Sequence, residues 1–170
     1  MTRILIAVVL ALFVVTPVRA QSTAPEDVAL AAVNACYALE TGADLVSALT
    51  TQGFRPSARA AQRWVKNQPG LEYQVWLSDK PQANGSTLRL CSVGVWGRLP
   101  NIGWLRTTLE SRARSEGYLV PDPAPRAAGG VEQMMVRQIG SRFHALHLTA
   151  NEAADSSKGA NYVIIYGWVL

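Results

Sequence analysis

Leu71-Glu72-Tyr73-Gln74-Val75-Trp76-Leu77 alternates cleanly between an apolar set and a mixed set. A β-strand turns successive side chains to opposite faces, so this period of two predicts a strand with Leu71, Tyr73, Val75 and Leu77 inward. Asn84-Gly85 follows, the dipeptide favoured in a tight hairpin turn, and Thr87 to Trp96 is the returning strand. Asn84-Gly85-Ser86 also matches a glycosylation sequon, but the turn reading accounts for it. The chain is therefore organised around at least one antiparallel pair.

Downstream, Ile102, Leu105 and Leu109 recur at helical spacing in a helix that ends at Gly117. Its charges fall at i,i+4, Arg106 with Glu110 and Arg112 with Glu116, which reads as an ordinary solvated face. Pro121 to Gly130 reads as an irregular loop. Val131 to Ile139 and Phe143 to Ala150 read as a hairpin turning at Gly140-Ser141. Asn151 to Ala160 is a polar loop. Asn161 to Leu170 is apolar on both faces, the pattern of a central or doubly covered strand.

Upstream, Thr23-Ala24-Pro25-Glu26 predicts a helix start, with Thr23 and Glu26 as a capping box and Pro25 in the first turn. Ala29, Ala32, Val33, Cys36 and Leu39 share its inner face, and Gly42 stops it. A short helix runs from Asp44 to about Thr50. In Phe54 to Lys66, Phe54, Ala58, Ala61 and Val65 step along one helical face while Arg55, Arg59, Arg63 and Lys66 step along another. That spacing predicts an amphipathic helix with a basic stripe and Trp64 beside it, closed by Gln68-Pro69-Gly70. The expected architecture is a single α+β domain, residues 21–170, with helices packed on one face of an antiparallel sheet of about five strands.

The first twenty residues carry a different signal. Arg3 precedes an unbroken apolar run of twelve residues, Ile4 to Val15, and Val18-Arg19-Ala20 suits a cleavage site. A spanning helix needs about 20 residues, so the segment reads as a cleaved signal peptide with Gln21 as the new N-terminus. No transmembrane anchor is expected after cleavage, and the location is periplasmic or secreted. In an oxidising compartment Cys36 and Cys91, the two cysteines of the chain, are expected to form one disulfide.

Arg3 and Arg19 leave with the signal, so the 16 basic residues fall to 14 against 12 acidic ones. That balance argues against a nucleic-acid protein. No nucleophile elbow, phosphate loop or dinucleotide fingerprint occurs, and no cofactor is expected. His144 and His147 are three apart in a strand pattern, so they point to opposite faces and no metal site is expected. The remaining candidate is the stripe: Arg55, Arg59, Arg63 and Lys66, with Trp64, as a binding surface for an anionic ligand or an acidic protein partner in the envelope. The function expected is a non-catalytic binding or accessory module for a protein or anionic envelope component. The alternative is a small periplasmic hydrolase in which His144 or His147 meets a serine and an acid.

Overall fold

A computed structural model describes residues 23–125, 130–140, 142–151 and 159–170 of the chain. The signal segment 1–20 and the cleavage at Gln21 lie outside the described residues, as does most of the 151–160 loop.

Helix α1 spans Pro25–Glu40 and α2 spans Leu45–Thr51. The expected capping box does not form. Ala24 holds the N-cap position without a side-chain bond, and Glu26 instead accepts from the backbone N–H of Asn101, beneath the start of the third helix. Buried Glu26 thereby ties two helix N-termini together, a tertiary use that outcompetes the local one. Asp44 caps α2, its Oδ1 accepting from Val46 N–H at 3.0 Å.

The amphipathic helix expected over Phe54 to Lys66 is absent. In its place lie a two-residue strand β1 (Arg55–Pro56), a turn, and strand β2 (Arg63–Gln68). Two features of the sequence explain the difference. Pro56 biases Arg55 before it away from helical and toward extended backbone, and Arg55–Pro56 is the short strand. Pro69-Gly70, expected as a helix stop, is instead the two-residue loop of a hairpin, with Gly70 at φ +73° as a type II turn requires. The hairpin pairs β2 with β3 (Leu71–Pro81) from Gln68↔Leu71 to Arg63↔Trp76. Six ladder pairs and a buried Trp64 outweigh a helical pattern whose apolar face rested largely on alanines.

The other expected elements are present: β4 (Thr87–Trp96), α3 (Ile102–Ser115), β6 (Val131–Ile139), β7 (Arg142–Ala150) and β8 (Tyr162–Val169). A two-residue strand β5 (Ala124–Pro125) lies in the segment expected as irregular loop and pairs with the start of β6. The sheet is antiparallel throughout, with eight strands among the described residues rather than about five, in the order β1-β2-β3-β4-β8-β7-β6-β5. The additional strands are those that replace the misread helix, together with β5.

Residues opposite one another in an antiparallel ladder share a face. Following the register, Tyr73 and Val75 of β3 lie beside Val95 and Val93 of β4, then Tyr162 and Ile164 of β8, then Ala150 and Leu148 of β7. All are buried, and α1 packs across them on β4 and β8. Cys36 of α1 is bonded to Cys91 of β4, with Cα atoms 5.6 Å apart and 55 residues between them in sequence. The bond staples the first helix to the middle of the sheet. β8 is central, as its composition implied, but among the described residues only one of its faces is covered by helix: Val163, Ile165 and Val169 on the other side are half-buried. No described helix is long and apolar enough to cross a membrane.

Candidate binding site

At the end of the sheet where α1 and α3 both terminate, six elements contribute polar side chains to one region. α1 brings Asn34, Tyr37 and Glu40, α3 brings Arg112, and Glu116 caps α3. Tyr118 follows α3, Arg137 comes from β6, His144 from β7 and Tyr166 from β8. Asn34, Tyr37 and Glu40 lie one helical turn apart, which puts them on one side of α1. His144 and Tyr166 stand on adjoining strands, His144 directly opposite Trp168 and diagonal to Tyr166, all on the helix-bearing face.

The floor is a chain of polar groups, with His144 and Tyr166 buried and Glu40 partly exposed. The Tyr166 hydroxyl donates to Glu40 Oε2, and His144 Nδ1 lies 3.3 Å from both Tyr166 Oη and Glu40 Oε1. With the phenol proton given to Glu40, the Nδ1–H tautomer of His144 satisfies the second carboxylate oxygen. Burial holds the His144 imidazole below its ordinary value, so it is neutral at pH 7; the neighbouring Glu40 opposes that shift only in part. Burial also raises the Tyr166 phenol far above its ordinary range, and the bond to Glu40 adds to this, so Tyr166 stays a donor. Tyr37 stacks on the Tyr166 ring at 4.2 Å, and burial raises its phenol likewise.

The walls carry two guanidinium groups, each laid on an aromatic ring: Arg112 over Tyr37 at 4.0 Å and Arg137 over Tyr118 at 4.6 Å. Arg112 is further held by Glu116, which accepts from Nε at 2.7 Å, and by Asn34 Oδ1. Arg137 Nη1 donates to the Glu116 carbonyl at 3.0 Å. Between these walls is a solvent-open cavity of about 350 Å³ lined by Asn34, Tyr37, Glu40, Arg112, Glu116 and Arg137. Tyr37 Oη and Arg137 Nε are buried and have no hydrogen-bond partner among the described residues. A buried donor is stabilised by an acceptor, and these two belong to residues that line one cavity.

The basic residues singled out from sequence are not gathered into a stripe. Arg55 lies on β1, Arg59 in the exposed turn after it, and Arg63 and Lys66 on β2, where an odd separation sends them to opposite faces. Lys66 Nζ donates to the Gln52 carbonyl at 2.7 Å, and Trp64 is a core residue. Arg55 and Lys66 alone share a small cavity of about 300 Å³ with Gly53, Val65 and Asn67.

His144 and His147 do face opposite sides of the sheet, and no cluster of metal-ligating side chains occurs among the described residues. On the open face His147 Nε2 is 2.7 Å from Glu132 Oε1 and 3.5 Å from Thr149 Oγ1. A hydrolytic triad needs the acid on one ring nitrogen and the nucleophile on the other. Here the acid occupies the nitrogen that faces the hydroxyl, and neither histidine is hydrogen-bonded to a serine among the described residues.

Arg112 was legible as the partner of Glu116, and that pair forms, as does Arg106 with Glu110 at 3.4 Å. Its place over Tyr37 was not legible, because it depends on how α3 crosses α1. Tyr37 and Glu40 of α1, Tyr118, Arg137 and Tyr166 come from four separate segments, and no spacing links one segment to the next. No protein-family model, characterised protein or solved structure matches this chain.

Proposed function

We propose that this protein is a small exported module of the cell envelope that binds rather than transforms its ligand, and that the ligand presents a carboxylate to Arg112 and Arg137. The observation that carries this is the pair of buried, unpartnered donors, Tyr37 Oη and Arg137 Nε, on residues lining one cavity beside two ring-stacked guanidiniums. A guanidinium fork matches a carboxylate in two parallel hydrogen bonds, and stacking on a tyrosine fixes the fork before the ligand arrives. The Glu40–Tyr166–His144 chain holds the base of the site and keeps its own proton inventory closed. A cavity of this size admits a small molecule or the end of a peptide, near the lower limit of about 300 Å³ for ligand pockets.

The disulfide and the signal-like leader support export of the chain. The test is titration of small carboxylates (acetate, succinate and benzoate) into ¹⁵N-labelled protein purified after export. Saturable amide shifts are expected over residues 34–41 and 112–118. Arg137→Gln abolishes them, while Arg59→Gln leaves them unchanged. Shifts that are absent, or equal in wild type and Arg137→Gln, would overturn the reading.

A further inference from the structure

The face of the sheet opposite the helices is covered by no described helix, yet it is apolar through its middle. Trp76, Trp96, Leu90, Val163 and Ile165 lie half-buried across it, and Met134 and Phe143 are more than half exposed. Its surface is tightly filled. A Cβ on Gly94 would stand 2.9 Å from the Trp76 ring and 2.8 Å from the Trp96 ring, so both indoles lie over that glycine. Leu90 lies over Gly167 in the same way.

The charges on this face are segregated. One ladder row runs from Arg55 on β1 through Val65, Gly94 and Val163 to Glu132 on β6. Arg63 stands in the next row of β2, half-buried, with its Nε buried and without a partner among the described residues. Among the described residues one flank is thus basic and the other acidic, with an uncharged centre. Of the other titratable residues on this face, Glu72 is engaged by Gln74, Lys80 is at the far end of β3, and His147 Nε2 lies 2.7 Å from Glu132 Oε1, so Glu132 would meet the arginines of a second copy as part of an ion cluster.

We propose that this face is the contact surface of a homodimer, two copies stacking sheet to sheet about a two-fold axis parallel to the strands. The strand order selects that axis. It places β1 and β2 of one copy over β5 and β6 of the other, so that Arg55 and Arg63 meet Glu132 twice by symmetry. An axis across the strands would instead set β2 on β2 and oppose arginine with arginine. Under the chosen axis Glu72 and Lys80 lie over β7, whose residues on this face are Phe143, Ala145, His147 and Thr149. Strands about 4.8 Å apart, with open-face rows about 6.7 Å apart, make the patch from β2 to β6 roughly 24 Å by 27 Å. Its corrugated surface approaches the roughly 800 Å² per subunit of a standard interface. Aligned stacking of two twisted sheets gives the same dry layer that closes a β-sandwich.

The protein purified after export is examined by sedimentation equilibrium. Wild type is expected to be a dimer. Arg55→Glu/Arg63→Glu carries acids on both flanks and Glu132→Arg carries bases on both, so each is expected to dissociate at least about tenfold more readily. Mixing the two variants restores dimer, because every contact then joins opposite charges; this arm also shows that both variants fold. A monomeric wild type, a dimer indifferent to both reversals, or a mixture that stays monomeric would each overturn the proposal. So would a wild type that is monomeric and binds anionic phospholipid vesicles through this face.

Discussion

Replacing Cys36 and Cys91 together by alanine removes the one covalent tie between α1 and the sheet. The bond spans 55 residues of sequence. In the chain-entropy description, opening a loop of that length returns about 4 kcal/mol of conformational freedom to the unfolded chain at 25 °C. Both cysteines are buried, Cys91 opposite Tyr166 in the ladder, so loss of the sulfurs also leaves a small void, adding on the order of 1 kcal/mol. Against a typical stability of about 5–15 kcal/mol this is a large fraction. At about 2–4 °C per kcal/mol for a chain of this size, the melting temperature falls by roughly 10–20 °C. Urea unfolding followed by tryptophan fluorescence measures the same quantity and separates two causes. Freeing the unfolded chain also exposes more surface, so the denaturant slope rises as the midpoint falls. A double variant that melts within a degree or two of the oxidised wild type would refute the reasoning. It would mean that α1 is held to β4 and β8 by packing alone.

Three further outcomes follow from the same geometry. Because burial lowers the His144 imidazole, the unfolded chain binds a proton near pH 6.5 that the folded chain refuses; stability is full above that pH and falls as pH drops through it, by up to about 1.4 kcal/mol per unit. His144→Gln flattens that part of the stability profile, and equal slopes for both proteins between pH 7 and 5 would refute the assignment. Deleting Ile165 to Leu170 takes Tyr166 and Trp168 from the core and parts β4 from β7 at the centre of the sheet, so no cooperative transition is expected by near-ultraviolet dichroism. Gly97→Ala places a Cβ 2.3 Å from the Gly70 carbonyl oxygen at φ +98°, whereas Gly42→Ala at φ +87° meets nothing within 4 Å; calorimetry should show the first costing more by over about 1 kcal/mol.

The amino-acid order by itself determined the elements whose pattern and punctuation agree. Leu71 to Leu77 alternates, Asn84-Gly85 turns, and Ile102 to Leu109 repeats at helical spacing before Gly117; each is the element expected. The pairing of Cys36 with Cys91 was legible because only two cysteines are present. Phe54 to Lys66 failed because two periods fit the same residues. Alanines at helical spacing are weak evidence, and Pro69-Gly70 ends a helix or turns a hairpin with equal ease. Only the ladder to β3 separates the two, and that ladder is a contact between segments. The same limit applies to function. Arg55, Arg59, Arg63 and Lys66 looked like one surface because they are close in sequence, and the strand period divides them. Tyr37, Glu40, Arg112, Arg137, His144 and Tyr166 looked unrelated, and the crossing of α1 and α3 over β6, β7 and β8 gathers them. Local order is set by propensities that each segment carries alone. A site built from six segments exists only once the sheet has fixed their distances.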